Sequence, residues 1–546
     1  MFWVGLSIQG GGIDSPRPAS QRAAALVLTA AMLTTFTAPA FAKTWYIEDG
    51  DITISASETK GTNKVSQGAE PEVEDTGTII TNREKDASSH TVTINAGNDK
   101  VEVTLDNVNI KADSGSALIS KGDVTLTLKG DNHLTGGNGG SSSYGGDGIT
   151  SSGSLTISGG TVTATGGDST SSVGSGGSGI YSVSGDVTIS GGTVNANGGD
   201  GKNGSGGGSG IDSSGGVTVS GGTVTANGGD GGSGSGSHGG NGIYSSSGVA
   251  ISGGAVTANG GDSKDGSGGN GIYSSGGVTI SSGSTVTANG GDGEDGSGGR
   301  GITSNGGVTV SGGTVNAKGG SGKNGNGGDG IRSFNPVAIS GGTVNANGGN
   351  SDYSNGGDGI ISYDIDLSGS LELTAKAGSP NGKALSRVGS ELDLNTIKDK
   401  LDPGAKVTAT DADGKVIQQV SIPRPVEPEE PSSSSDSGSA TPSAPASFLP
   451  GLTVTDKDGQ RISYTSTQSG NTLTVCVGRF TASLRISLAA LRQLRAEGIE
   501  TITFQTILCS TTLSVDELLA MGGEDAEVVL THHIRSSTLT VGGKAV

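Results

Sequence analysis

The tetrad Gly-Ile-x-Ser returns eight times in the middle of this chain of 546 residues. Its isoleucines stand at positions 149, 180, 211, 243, 272, 302, 331 and 360, so the repeat is 29–32 residues long. Each unit holds three short runs in which apolar and polar residues alternate, such as Ile180–Ser182, Val187–Ile189 and Val194–Ala196. Alternation with a period of two predicts β-strands, and the glycines between the runs predict corners.

A unit of this kind cannot bury its apolar face alone, because each strand offers only two inward side chains and leaves its backbone edges unpaired. Stacking one unit per coil pairs every strand with the strands above and below it, about 4.8 Å away. The repeat therefore predicts a mainly β protein built on a right-handed, single-stranded parallel β-helix, a solenoid, since connections between parallel strands are right-handed. The alternating stretches at 91–94, 101–110 and 124–128 are expected to extend the coils toward the N-terminus.

Strand alternation also assigns side chains to the inside and the outside of the coil. The eight isoleucines are expected to point inward, and so are the serines two residues later. We interpret this serine column as structural, because a buried hydroxyl can form hydrogen bonds along the stack and no histidine or lysine repeats beside it. Its members are Ser151, Ser182, Ser213, Ser245, Ser274, Ser304, Ser333 and Ser362.

Composition limits what else the chain can be. Its 105 glycines, 3% aromatic residues and 30% hydrophobic residues lie near the range of disordered proteins. The regular spacing of the glycines and of the apolar residues favours a folded repeat instead. The net charge of −20 excludes a general affinity for nucleic acid or for anionic membranes, which need clustered Lys and Arg.

The N-terminus has the features of a secretory signal peptide, residues 1–42. Arg17 and Arg22 precede an apolar stretch from Ala23 to Leu33, and small residues lead to a cleavage site between Ala42 and Lys43. No later segment has the roughly 20 apolar residues that a membrane span requires. We therefore expect an exported or cell-surface protein with no membrane span. We also expect it to be a monomer.

The remaining sequence divides into four further segments. Residues 43–118 are expected to form an N-terminal β cap and the first coils, with the polar stretch 55–89 as loops, and residues 119–421 the repeats and a terminal cap. Residues 422–450, rich in Pro and Ser, predict an extended linker. Residues 451–546 predict a small α/β (α+β) module with helices beginning after Ser487 and Ser514. Its Cys476 and Cys509 form one disulfide or remain two buried thiols.

Three sequence stretches carry a resemblance to a known family. They are the run of ten residues from Val101 to Ile110, the run of nine from Val124 to Asn132, and the repeated Ile-Ser-Gly-Gly-Thr-Val. Over roughly residues 75–380 the chain resembles the carbohydrate-binding, pectate-lyase-like parallel β-helix proteins of clostridial bacteria. The resemblance implies a β-helix without lyase activity that binds plant cell-wall polysaccharide and calcium. The C-terminal module resembles no family that we recognise.

Two outward surfaces are candidates for binding polysaccharide. Beside the inward isoleucines lie Tyr181, Tyr244 and Tyr273, and the last two occupy consecutive coils. Their rings are expected to be exposed and about 5 Å apart, where they could stack on sugar faces. The alternative is cross-strand pairing that stiffens the sheet. The second surface has a Thr/Asn column that contains Asn195 and a parallel column that contains Asn227, Asn259 and Asn289. Their amide groups suit sugar hydroxyls, solvent or one another.

An acidic column is the candidate metal site. In five consecutive units an aspartate follows the glycine pair after the third strand, at Asp168, Asp200, Asp230, Asp262 and Asp292, and the next two units have Ser321 and Asn350 there. Carboxylate oxygens in glycine-rich loops suit Ca²⁺, which makes calcium the one candidate cofactor. The alternative is that these aspartates only form turns.

The repeats favour a uniform binding face over a single catalytic spot. A lyase needs acidic residues around calcium and a basic residue beside them, yet Arg300 and Arg332 read as isolated residues on the rod. The sequence therefore predicts a non-catalytic, carbohydrate-binding β-helix. The alternatives are a structural stalk or adhesin that presents the C-terminal module, or a polysaccharide lyase or hydrolase.

Overall fold

The computed structural model describes residues 43–423 except 141–143, 171–173, 235 and 388. It also describes residues 452–545 except 457–459, 463, 470, 478, 480, 507–509, 522–525, 533–536 and 543. These two ranges belong to separate compact units. The predicted signal peptide, most of the predicted linker and Cys509 lie outside the described residues.

The first unit is a parallel β-solenoid of about 12 turns, as the repeat predicts. Its opening strands are β1 (Thr44–Tyr46), β2 (Ile52–Ala56), β3 (Asn63–Gln67), β4 (Val73–Asp75), β5 (Ile79–Thr81), β6 (Val92–Asp106), β7 (Asn109–Lys111) and β8 (Leu118–Thr135). A short 3-10 helix, η1 (Ile47–Asp49), follows β1.

Each later coil has three strand positions. The first position holds β9 (Ile149–Ser152), β11 (Ile180–Ser184), β14 (Ile211–Ser213), β17 (Ile243–Ser245), β20 (Ile272–Ser274), β23 (Ile302–Ser304), β26 (Ile331–Ser333), β28 (Ile360–Ser362) and β30 (Leu385–Arg387). The second holds β12 (Val187–Ile189), β15 (Gly216–Val219), β18 (Gly248–Ile251), β21 (Gly277–Ile280) and β24 (Val308–Val310). The third holds β13 (Thr193–Asn197), β16 (Thr223–Asn227), β19 (Gly254–Asn259), β22 (Ser284–Asn289), β25 (Thr314–Lys318) and β32 (Lys406–Thr410). Three long strands cover the second and third positions together: β10 (Leu155–Thr165), β27 (Val337–Asn347) and β29 (Ile365–Lys376).

Successive coils pair in parallel with like residues over like. Ile180 pairs with Ile211, and Ile243 pairs with Ile272. All eight isoleucines of the tetrads are fully buried in one continuous core, which confirms their inward direction. This register also determines which residues point outward, because successive side chains of a strand point to opposite faces of the sheet.

The inward serine column is also confirmed. Its eight serines are at most 4% exposed. The Ser245 hydroxyl lies 2.9 Å from the carbonyl oxygens of Gly248, in its own coil, and Gly215, in the coil before. Ser304 repeats the arrangement with Gly307 and Gly276. These hydroxyls therefore donate hydrogen bonds to backbone carbonyl groups at the corner after the first strand.

The glycine-rich segments form an ordered layer. In each coil one glycine pair follows the third strand and another precedes the first, and we call these stacked pairs the glycine layer. Hydrogen bonds of 2.8 Å link them in series, from Gly208 N to Gly199 O, Gly229 N to Gly208 O and Gly240 N to Gly229 O. A Cβ at Gly229 would overlap the Gly199 carbonyl. The layer requires glycine because its backbones are too close for side chains.

Both ends of the solenoid leave the parallel pattern. At the N-terminal end β2, β3 and β4 form an antiparallel sheet, and β2 also joins the stack through β6. The prediction that residues 55–89 are all loops is wrong, because inward residues such as Val65 give the polar stretch a buried face. At the other end η2 (Leu394–Lys400) precedes β32, which pairs antiparallel with β33 (Val416–Ser421), and β31 (Ser390–Glu391) pairs with β30.

The second unit is an α+β module with two sheets. The five-stranded sheet contains β34 (Leu452–Thr455), β37 (Ala482–Ser487), β40 (Glu527–His532), β41 (Ser537–Val541) and β42 (Lys544–Ala545). The four-stranded sheet contains β35 (Thr465–Ser469), β36 (Thr472–Cys476), β38 (Thr501–Gln505) and β39 (Ser510–Ser514). The helices α1 (Leu488–Ala496) and α2 (Val515–Ala520) begin after Ser487 and Ser514, as predicted. No helix in the described part of the chain is long and apolar enough to span a membrane.

Candidate functional site

The outward side of the sheet formed by the first strands carries the most varied side chains. We call this side the front face. Its central column lies beside the buried isoleucines and runs Thr150, Tyr181, Asp212, Tyr244, Tyr273, Thr303, Arg332 and Ile361. A second column, two residues before the isoleucines, runs Asp147, Ser178, Ser209, Asn241, Asn270, Arg300, Asp329 and Asp358.

Tyr244 and Tyr273 stack on each other along the rod. Their ring centroids are 5.3 Å apart and their planes differ by 7°, in agreement with the predicted spacing. The prediction that both rings are exposed is wrong: each is half-buried, because each covers a face of the other. The Tyr273 hydroxyl accepts a hydrogen bond of 3.4 Å from Asn305 Nδ2. The pair therefore offers ring edges and hydroxyls, and the two rings cannot both stack on a sugar through the faces they share.

Tyr181 lies apart from this pair, in an acidic part of the front face. Asp212 separates it from Tyr244 in the column. The Asp147 carboxylate accepts hydrogen bonds from Thr150 Oγ1 at 2.6 Å and Ser178 N at 2.8 Å. Burial, together with the charge of Asp147, raises the pKa of Asp212 to about 6. Burial also raises the pKa of Asp147 and of Tyr181.

A groove at the C-terminal end of the front face contains exposed aromatic rings that the sequence reasoning missed. Phe334 is 45% exposed and Tyr363 is 63% exposed. With Arg332 and Ile361 they line a groove of about 230 Å³. The Arg332 guanidinium lies 5.1 Å from the centre of the Phe334 ring. The signal lay in the residue after the inward serine, which is Ser, Val or Asn in the six earlier tetrads and aromatic in the last two.

Arg300 and Arg332 are not isolated, contrary to the sequence interpretation. Arg300 Nε lies 3.2 Å and Arg332 Nη1 3.5 Å from the same oxygen, Asp329 Oδ2. The register brings them together because 29 residues separate equivalent positions of these coils. Asp358 lies next in the column, and burial raises its pKa. These four residues and neighbouring amide side chains line a polar cavity of about 430 Å³, and Arg332 also lines the aromatic groove.

The asparagine column lies on the third strands and forms a hydrogen-bonded ladder. Asn227 donates to Asn197, Asn259 to Asn227 and Asn289 to Asn259, at 2.8–2.9 Å. Asn195, in the neighbouring column, donates to Thr163 Oγ1 at 3.4 Å. Of the three predicted partners, namely sugar hydroxyls, solvent and one another, the amides of this ladder bind one another. Each amide retains a second N–H and a second lone pair for another partner.

The aspartate column forms a ladder between side chains and backbone. The backbone N–H of Asp200, Asp230, Asp262 and Asp292 each donates to the carboxylate of the preceding aspartate, starting from Asp168, at 2.7–3.1 Å. One oxygen of each of these carboxylates thus accepts a hydrogen bond from the backbone of the next coil, which agrees with a structural role. Within the described ranges, no group of three or more His, Cys, Asp or Glu side chains has the geometry to hold a metal ion.

Comparison with known families identifies the scaffold. Four segments match the family model described as Beta helix repeat: residues 155–179, 187–209, 217–241 and 337–360. Each matched segment starts in a second strand and ends just before, or at the start of, the next first strand. No curated protein and no solved structure matches the chain.

The matched segments exclude the side chains that distinguish the front face. Tyr181, Asp212, Tyr244, Tyr273, Arg332, Phe334 and Tyr363 all fall outside them. The match therefore concerns the coil itself: the second and third strands and the glycine layer. The family model therefore does not describe the chemistry of the front face.

Proposed function

We propose that the chain is an exported, non-catalytic β-helix that binds polysaccharide on its front face. The observation that carries the proposal is the groove of Phe334 and Tyr363 with Arg332 at its wall. Two exposed rings on consecutive coils are unusual in a chain with 3% aromatic residues. Contiguous exposed apolar residues rimmed by polar groups are a common feature of ligand-binding grooves.

The groove has the chemistry that a sugar chain needs. Aromatic rings bury the C–H faces of sugars, and guanidinium and amide groups form hydrogen bonds with their hydroxyls. Toward the N-terminal end, the hydroxyls and ring edges of Tyr244 and Tyr273 continue the same face. Because equivalent positions recur about every 4.8 Å, a linear polymer can contact several coils at once.

The test is binding of the mature chain to a panel of insoluble and soluble plant polysaccharides. Phe334→Ala and Tyr363→Ala are each expected to weaken binding about 2–10-fold, since an aromatic contact contributes about 0.5–1.5 kcal/mol beyond its area. The matched control is Tyr353→Ala, because Tyr353 is 78% exposed and lies outside the front face. Equal affinities for all four proteins would contradict the proposal.

A further variant separates ring stacking from hydroxyl contacts at Tyr273. Tyr273→Phe retains the stacked ring and removes the hydroxyl that Asn305 contacts. If the hydroxyls contact the sugar, this variant binds more weakly at unchanged melting temperature. Release of unsaturated or reducing sugar products by the parent chain would contradict the non-catalytic part of the proposal.

A further inference from the structure

Asp75 carries a buried carboxylate at the start of the solenoid. The residue is 1% exposed. Its Oδ1 accepts hydrogen bonds from the backbone N–H groups of Lys43 and Gly77, both at 3.2 Å. Its Oδ2 accepts from Trp45 Nε1 at 2.7 Å. The carboxylate thus connects β4 to the first residue before β1.

The groups that donate to this carboxylate in the described chain are neutral. They are two amides and an indole, while the Lys43 ammonium lies over the Trp45 ring, 3.6 Å from its centre. A buried carboxylate without a cationic partner destabilises a fold, and a partner in direct contact offsets that cost. Lys43 N is the one donor whose charge depends on how the chain is processed, since the sequence predicts cleavage before Lys43.

We propose that cleavage before Lys43 completes this site: the new α-ammonium of Lys43 becomes the counter-ion of Asp75. Hydrolysis of the Ala42–Lys43 bond consumes one water, leaves a carboxylate on Ala42 and frees an amine on Lys43 that takes up a proton. A neutral N–H···O contact becomes a charge-assisted one. The inference rests on the predicted cleavage and is independent of polysaccharide binding.

The ion pair fastens the first strand to the solenoid. Lys43 O accepts from Ile79 N at 3.4 Å, and β1 pairs in parallel with β5. Trp45, on β1, is 3% exposed. Holding Lys43 against Asp75 therefore keeps this tryptophan in the core at the exposed end of the stack, where strands otherwise fray.

The ion pair between the Lys43 α-ammonium and Asp75 makes the free energy of unfolding depend on pH, and the sign of this dependence follows from the pKa of the amine. A free terminal amine has a pKa of about 8, and contact with a buried carboxylate keeps it protonated to higher pH. The stabilisation is then complete below about pH 8 and is lost as the pH rises through the raised pKa of the folded amine. The other charged groups on the elements that adjoin β1 and β4 include the Lys43 side chain, Glu48 and Asp49 on η1, Lys64 on β3, Glu74 on β4 and Arg83 after β5. All of them occur in both chains compared below.

The experiment compares two chains that differ by one residue. Residues 43–546 and residues 42–546 are each released from a removable fusion partner, which fixes the first residue. In the longer chain a neutral amide occupies the position of the ammonium. The chain beginning at Lys43 is expected to melt about 2–4 °C higher at pH 7, and this difference is expected to vanish at high pH. The exported full-length protein is expected to begin at Lys43 by intact mass.

Two results would overturn the inference. One is equal melting temperatures for the two chains at every pH from 6 to 10. The other is an exported protein whose first residue is not Lys43. Asp75→Asn retains one of the two acceptor oxygens and removes the charge, so it is expected to abolish the difference between the chains. The pH comparison of the parent chains needs no variant and stands even if Asp75→Asn fails to fold.

Discussion

At the scale of single residues, Asp212 is the side chain whose ionisation the fold opposes most clearly. It is half-buried between Tyr181 and Tyr244 in the central column of the front face. Its pKa of about 6 in the folded chain exceeds the value of about 3.9 for an unfolded aspartate. The protonated form is therefore the one that the fold stabilises. That stabilisation is complete below about pH 4 and is lost as the pH rises through 6.

Asp212→Asn is expected to raise stability at neutral pH, because it replaces a carboxylate by a neutral group of the same shape. The expected gain at pH 8 is on the order of 1–3 kcal/mol, and the parent and the variant should converge near pH 4. Melting temperatures of the two proteins between pH 4 and 8 measure this. A variant that is less stable than the parent at pH 8 would show that the carboxylate has a favourable partner.

At the scale of the repeated elements, the glycine layer predicts a sharp difference between two glycine-to-alanine changes. Gly229→Ala places a Cβ against the Gly199 carbonyl and separates adjacent coils. We expect it to destabilise the chain by about 3 kcal/mol or more, as for other overpacked positions. Gly191→Ala is the control, since a Cβ there meets nothing within 4 Å. Urea unfolding of both variants checks the difference, and equal stabilities would contradict the close packing of the layer.

The aspartate ladder permits a test that separates its two predicted roles. Asp262→Asn retains an oxygen for the Asp292 N–H and removes one charge from the column, whereas Asp262→Ala removes both. If the column is only structural, Asn is tolerated and Ala costs about 1 kcal/mol. If the column also binds calcium, millimolar Ca²⁺ raises the parent's melting temperature by mass action, and Asp262→Asn reduces that rise. A parent that is indifferent to calcium and to chelator would contradict the calcium prediction.

The sequence predicted those elements whose signal is local. The eight tetrads predicted the strand register, and Ser487 and Ser514 predicted helix starts because each hydroxyl accepts from a backbone N–H three residues later. Sequence reasoning missed the ion pairs that Arg300 and Arg332 form with Asp329, because the pair with Arg300 joins two different coils. The half-burial of Tyr244 and Tyr273 was missed because alternation gives the direction of a side chain and not what covers it.

At the scale of the whole molecule, the two compact units differ in how the sequence encodes them. The solenoid repeats one pattern in coil after coil, and its core consists of columns of like residues. The C-terminal unit uses each of its elements once, and its core collects Leu484, Leu491, Phe504 and Leu530 from strands and a helix.

The glycine layer gives the solenoid an unusual calorimetric character. Much of what the coils bury there is peptide backbone, and hydrating polar surface lowers the heat capacity of the unfolded chain, whereas hydrating apolar surface raises it. We expect the heat-capacity increment of unfolding to fall below the usual value of about 12–15 cal/mol/K per residue. Differential scanning calorimetry of the mature chain measures it, and an increment within the usual range would contradict the expectation. A small increment reduces the curvature of the stability curve, so the solenoid is expected to lose little stability on cooling and to resist cold denaturation.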